Sequence, residues 1–259
     1  MRELSEQERV RREKLEKIKE FCNPYPDRYE ITHSLKDAAS LDDNTNDVAV
    51  AGRIVFMRKM GKMSFLRLRD IDGDLQVSLK YDELGEDVYG FFKSYVDVGD
   101  YIGVKGEVFT TQTGEKTIRA HEFKFLGKAL KPLPEKFHGL TDPEQCYRHR
   151  YVDLIMNQDT RDRFRIRMNF IKELRHYLDN LNYYEIETPI LNNKASGAVA
   201  RPFVSHHNAL DIDVFLRIAP ETYMKRAILS GMPKVYEIGR CFRNEGMDAT
   251  HLQDFTMIE

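Results

Sequence analysis

The chain has 259 residues, 41% of them hydrophobic and 32% charged, which is enough for two modest domains with a core each. Its formal net charge of −2 excludes a global field for nucleic acid, so any such contact rests on a local patch. Cys22, Cys146 and Cys241 lie far apart with no CxxC spacing, which excludes a disulfide framework. The N-terminus is charged throughout and no apolar run reaches membrane length, so a cytoplasmic chain without membrane contact is expected.

Ser5-Glu6-Gln7-Glu8 has the form of a capping box and predicts a helix to about Phe21. Arg9, Arg11, Arg12, Lys14, Lys17 and Lys19 give that helix a basic side. Asn23-Pro24-Tyr25-Pro26 ends it, and a polar connection completes residues 1–47. Segments 48–57, 63–70 and 75–79 read as strands, with Asp72-Gly73 as a tight turn between the last two. Residues 81–96 carry Leu84, Val88, Phe91, Phe92 and Tyr95 at helical spacing; two further strands follow at 101–110 and 117–125. Three strands, a helix and two strands is the order of an OB-fold, a five-stranded β-barrel, here spanning 48–127.

Such barrels bind single strands on the face of their second and third strands. Seven basic residues stand between Arg53 and Lys80 against three acidic ones. Phe65 among them reads equally as a stacking platform or a core residue, and Gln76 as a base reader or a plain surface amide. Residues 128–141, with two prolines and little periodicity, read as a linker to a second domain at 142–259.

In that domain a helix is expected from about Arg161 to Leu181, with an apolar stripe and a cap at Asp159 or Thr160. A strand at 183–188 ends at Pro189, which lacks a donor. Ala195-Ser196-Gly197-Ala198 is a small-residue loop that permits close backbone approach. A short strand at 215–218 leads to Pro220 and a helix through Leu229 with Glu221 in its first turn. His206 and His207 have no companions at metal-ligand spacing and read as structural, so no metal site is assigned. The last stretch, 234–259, alternates as a strand, breaks at Asn244, Gly246 and Asp248, and resumes at Phe255. Arg243 and Glu245 enter that loop, and His251 sits near its exit. Taken alone, an Arg–Glu pair there is a surface feature of a hairpin.

The longer string GRCFRNEG, then His251, then FTMIE, resembles the second signature motif of class II aminoacyl-tRNA synthetases, the lysyl-tRNA synthetases in particular. NYYEIETP is similar to the first motif of that family, SGAVARPF and RIAPETYMKR to its amino-acid pocket, and GRIVFMRKMGKMSFLRLRD to its anticodon barrel. The resemblance implies an α+β chain: the OB-fold barrel followed by the first part of the antiparallel-sheet catalytic domain. It implies that Arg243 bridges the lysine carboxylate and the α-phosphate of ATP. Glu245 would then meet the adenine amino group, Phe255 would stack on the ring, and His251 would lie toward the phosphate tail. It further implies that Gly197, Glu221 and Glu259 contact the substrate lysine, and that Arg58, Phe65 and Gln76 meet the anticodon of lysine tRNA.

A homodimer through the first-motif helix and strand, and magnesium with ATP, are expected on the same basis. The loop departs from the family at Thr250 and at Leu252, Gln253 and Asp254. The third motif and the magnesium carboxylates are not in the sequence, so a fragment of a longer protein is expected, with its catalytic domain incomplete. The alternative reading is a non-catalytic tRNA anticodon-binding protein derived from such an enzyme.

Overall fold

The computed structural model describes residues 3–134 and 140–259, and it divides into two compact units, 1–161 and 162–259. In the first unit, helix α1 (Glu6–Phe21) is capped by Ser5: the Glu8 N–H donates to Ser5 Oγ at 3.3 Å, and the Ser5 N–H to Glu8 Oε2 at 2.9 Å. The polar connection holds a short helix that the pattern did not predict, α2 (Leu35–Ala39), whose Leu35 and Ala38 are fully buried.

The barrel is closed in the order β1-β2-β3-β5-β4, from β1 (Val48–Met60), β2 (Met63–Arg69), β3 (Asp74–Lys80), β4 (Tyr101–Thr110) and β5 (Lys116–Gly127). Helix α3 (Tyr81–Tyr95) lies between β3 and β4 in the chain and buries Tyr89 and Phe92. The alternation of β2 is regular: Ser64, Leu66 and Leu68 point into the core while Met63, Phe65, Arg67 and Arg69 face outward, half-buried. Phe65 is therefore not a core residue. The parallel β3–β5 pairing closes the wall, with Gln76 opposite Thr117.

Of the barrel glycines Gly52, Gly103 and Gly106, the last leaves the least room for a side chain. A Cβ there would lie 1.9 Å from the Arg119 carbonyl oxygen and 2.9 Å from the Ala120 Cα, beside an irregularity in the β4–β5 register. Gly106→Ala should therefore destabilise the barrel by about 2 kcal/mol or more, read as a fall in the urea midpoint at unchanged slope.

Lys128 opens the segment read as a linker, yet its side chain is fully buried. Its ammonium donates to the Tyr95 carbonyl at 2.8 Å, Asp97 Oδ2 at 2.6 Å and Asp100 Oδ2 at 2.8 Å. Lys14 of α1 reaches Asp97 Oδ1 at 2.6 Å, and Arg11 donates to the carbonyls of Ala129 and Val98 at 2.9 Å each. Arg11 and Lys14 of α1 thus fold onto its own barrel, while Lys17 and Lys19 pair with Glu20 and Glu16 on the exposed side of the helix. The rest of that segment, 135–139, lies outside the described residues. Helices α4 (Pro143–Arg148) and α5 (Arg150–Met156) follow, and neither was predicted.

Helix α6 (Gln158–Asn180) begins earlier than its pattern suggested. Asp159 and Thr160 lie inside it rather than capping it, and Thr160 is buried with its hydroxyl donating to Asp153 Oδ1 at 3.1 Å. In the second unit the expected strand at 183–188 is only β6 (Tyr184–Glu185), paired in parallel with β10 (Val235–Tyr236). A three-stranded sheet in the order β7-β9-β8 comprises β7 (Leu191–Asn192), β8 (Val204–His207) and β9 (Ile212–Leu216). Helix α7 (Glu221–Leu229) has Pro220 at its N-cap. The final strand reading splits at Glu237: β11 (Ile238–Phe242) pairs antiparallel with β12 (Asp254–Ile258).

Candidate active site

The site is built on the β11–β12 hairpin of the second unit. Its register runs from Ile238↔Ile258 to Phe242↔Asp254. Pairing continues past both ends: Glu237 and Glu259 exchange backbone bonds at 3.0 and 3.1 Å, and the Arg243 N–H donates to the Gln253 carbonyl at 2.8 Å. Because side chains alternate with period two, Glu237, Gly239, Cys241 and Arg243 share one face with Phe255, Met257 and Glu259. The other face carries Arg240, which ion-pairs with Asp254 and donates to Thr256 Oγ1 at 3.3 Å.

On the first face the Arg243 guanidinium stands 5.2 Å from the centroid of the Phe255 ring, a cation–π distance. Its Nε is buried with no hydrogen-bond partner among the described residues. A buried arginine donor without an acceptor is the group an incoming carboxylate or phosphate satisfies.

Beyond Arg243 the loop is held from two sides. The Asn244 N–H donates to the Arg201 carbonyl at 2.8 Å, and the Arg201 N–H donates to Glu245 Oε1 at 3.3 Å. Glu245 is otherwise open to solvent. At the loop tip Asp248 accepts the backbone N–H groups of Thr250 at 2.7 Å and His251 at 2.8 Å, and the His251 ring at 2.8 Å. Those donors, Thr250 first, hold the Asp248 carboxyl well below the usual range. His251 is thus turned onto Asp248 in the loop, and no described contact joins it to Arg243.

Gly197 has φ of 94°, a conformation that disfavours a side chain, and a Cβ there would come within 3.2 Å of both the Cβ and the carbonyl oxygen of Ala219. The Thr222 hydroxyl donates to Ser196 Oγ at 3.3 Å, so the small-residue loop rests on the start of α7 beside Glu221. Glu221 pairs with Lys225 one turn on; that lysine is 69% exposed, so solvent screens the pair and it separates at little cost. Burial, then the nearby Glu221 carboxylate, raises the Glu259 carboxyl above its ordinary value; Lys225 works against this and Glu237 adds to it. Gly197, Glu221 and Glu259 are thereby brought to one region. That region carries an excess of carboxylate.

Two residues absent from the sequence reading lie beneath. Arg217 and Glu237, with side chains 3% and 5% exposed, form a buried ion pair. Arg217 also donates to the Arg240 carbonyl at 2.7 Å, the Thr188 carbonyl at 3.1 Å and Thr188 Oγ1 at 2.9 Å, while the Thr188 hydroxyl donates to Glu237 Oε2 at 2.6 Å. A Cβ on Gly239 would fall 2.1 Å from Arg217 Nη2, so the glycine opens the slot through which the guanidinium passes. The sequence signal was the single Gly239 in an otherwise filled strand, next to a charged residue on the same face.

In the first unit, Arg58 lies opposite Phe65, and Arg67 opposite Gln76, so all four share the outer face of β1, β2 and β3. The basic patch is less available than the count implied. Arg53 donates to the Gly99 carbonyl at 2.8 Å, Lys59 to the carbonyls of Lys93 and Val96 at 2.7 and 3.1 Å, Arg69 pairs with Asp74, and Arg67 with Glu115. Arg58 is exposed, with no hydrogen-bond or ion-pair partner among the described residues. Gln76 Nε2 donates to Thr117 Oγ1 at 2.9 Å, which leaves its carbonyl oxygen to accept.

Among the described residues no three His, Cys, Asp or Glu side chains form a metal cluster, and no helix is long and apolar enough to cross a membrane. Residues 142–259 match the family of class II tRNA synthetases (D, K and N), and residues 48–126 match the OB-fold nucleic acid binding domain. The chain is 48% identical over 269 residues to a protein of Enterococcus faecalis named lysine–tRNA ligase, covering 100% of this chain and 54% of the relative. Proteins of the same name from Lactococcus lactis subsp. lactis and Streptococcus pneumoniae are 48% and 50% identical, over 99% and 100% of this chain and 54% of each relative. The chain therefore spans about half the length of the curated relatives it matches.

Proposed function

We propose, for a chain that belongs to the class II tRNA synthetases of the D, K and N type through residues 142–259 and to the OB-fold nucleic-acid-binding domains through 48–126, that its parent protein attaches lysine to lysine tRNA. ATP is a substrate. A lysine carboxylate oxygen attacks the α-phosphorus and the bond to pyrophosphate breaks; a ribose hydroxyl at the 3′ end of the tRNA then takes the acyl group from lysyl-adenylate, and AMP leaves. The observation that carries this reading is the buried, unpartnered Nε of Arg243 over Phe255. A planar fork at that point holds the attacking carboxylate and the α-phosphate together, so its work is orientation and charge stabilisation. Phe255 offers its face to adenine, Glu245 accepts from the adenine amino group, and His251 serves the phosphate tail.

Gly197, Glu221 and Glu259 receive the lysine, whose two ammonium groups suit paired carboxylates and whose neutral analogues would leave them unpaired. Magnesium accompanies ATP in the family generally; the described residues supply no cluster for it. In this reading 48–127 is the anticodon module, 128–141 the linker and 142–259 the catalytic segment. Arg58, Phe65 and Gln76 meet the splayed bases of the anticodon. A homodimer through α6 and β6 is supported by the exposed Ile166 and Phe170, at 67% and 65%, which share one face of that helix at a spacing of four.

The test is lysine-dependent ATP–pyrophosphate exchange by the full-length protein, with tRNA binding measured on the same sample. Exchange is the expected result. Its absence with lysine-tRNA binding intact would favour a non-catalytic binder. On the same preparation Phe65→Ala should weaken lysine-tRNA binding about tenfold, as loss of one base stack does, while exchange without tRNA stays unchanged.

A further inference from the structure

The buried pair Arg217–Glu237 lies on the substrate side of the hairpin. Glu237 and Glu259 are a directly opposed, doubly bonded antiparallel pair, so their side chains leave the same face as neighbours. Arg217 is four residues before Glu221 in the chain, and its backbone is itself fixed, the Phe242 N–H donating to its carbonyl at 3.0 Å and its own N–H to the Ile190 carbonyl at 2.9 Å. The guanidinium is therefore held by β11, by Thr188 and by Glu237 at once, through the slot left by Gly239.

Scaffolding alone does not require a charge here. An apolar side chain of similar volume commonly replaces a buried ion pair without loss of stability. The placement beside Glu259 gives the charge a purpose. Glu237 leaves the same face as Glu259, and an uncancelled carboxylate there would compete with Glu259 for an ammonium of the substrate.

We propose that Arg217 is a specificity-determining positioning residue, the internal counter-ion that cancels Glu237 so that Glu259 meets a substrate ammonium without a rival carboxylate beside it. The inference rests on the lysine-activating reading above and deepens it.

Glu237→Gln in the full-length protein is the decisive variant. Its amide oxygen still accepts from Arg217 and its amide N–H donates to Thr188 Oγ1, so the geometry stays while Arg217 becomes an uncompensated cation next to the pocket. The KM for lysine in pyrophosphate exchange is expected to rise about tenfold, with the KM for ATP within about twofold of the parent. The double variant Arg217→Met, Glu237→Gln removes both charges, and its lysine KM is expected to return to within about threefold of the parent. An unchanged lysine KM in Glu237→Gln overturns the proposal, as does a folded double variant that binds lysine no better than the single one; either result assigns the pair to scaffolding. If the double variant does not fold by circular dichroism, Glu237→Gln alone decides. A parent protein that shows no lysine-dependent exchange overturns the proposed function first, and this inference with it.

Discussion

Lys128→Met is expected to destabilise the barrel domain by about 3–5 kcal/mol at neutral pH, the usual cost of removing one partner from a buried charge cluster. The reason lies in what stays behind. Asp100 is fully buried and Asp97 mostly so, and without the ammonium both carboxylates keep their desolvation penalty. In the native chain burial alone would raise the Asp97 carboxyl, but bonds from Lys128 and Lys14 outweigh it and hold that carboxyl below its ordinary value. For Asp100 burial prevails over Lys128, and its carboxyl is raised.

The sign of the pH dependence follows. A depressed carboxyl contributes stability above its unfolded value of about 4, and that contribution is lost as pH falls through the lower folded value. In Lys128→Met both carboxyls lose the shared ammonium, with Lys14 left on Asp97, and they take up protons at higher pH than in the parent. The gap in stability between parent and variant should therefore narrow as pH falls toward about 4 and below. Urea denaturation at neutral and acid pH measures it. A gap that does not depend on pH would assign the loss to packing of the lysine stem instead.

Arg243→Lys should leave stability nearly unchanged and lower lysine-dependent exchange by about 10²–10³-fold, the scale on which a positioned donor to a developing charge acts. Lysine preserves the positive charge but not the planar fork, and only the fork reaches a carboxylate and a phosphate together. Its orphaned Nε shows that the native side chain is held in place at the expense of a hydrogen bond. In kinetic terms kcat and kcat/KM should fall together, because the contact strengthens in the transition state. A rise in KM alone would reduce Arg243 to a binding residue.

The barrel was legible because its strands carry regular alternation over long stretches, as in 63–69 and 101–110, with glycine turns between them. Helix α2 was not, since five residues with two buried side chains leave no period to detect. The strands β7 and β8 were hidden for a related reason: each is short, and its strand character comes from pairing with β9 rather than from its own side chains. At the site, Arg243, Glu245 and Phe255 entered the reading through their motif, and the hairpin brings Arg243 and Phe255 together. Arg217 and Glu237 were not, because a charged residue on a strand reads as solvent-facing until the fold closes over it. The basic count on the barrel misled in the opposite direction, for Arg53, Lys59 and Arg69 spend their donors inside the first unit.

The two-residue alternation of the hairpin also limits how its gene can change length. Glu237, Gly239, Cys241 and Arg243 share a face with Phe255 only while each keeps its present partner across the hairpin. Loss or gain of one codon within β11 would exchange the two faces of the strand relative to Phe255 and separate Arg243 from that ring. Two codons would preserve the faces but shift Arg243 along the strand, away from Phe255. Length variation among descendants of this sequence is thus confined to the solvent-exposed turn around Gly246 to Leu252, where an added residue alters no pairing.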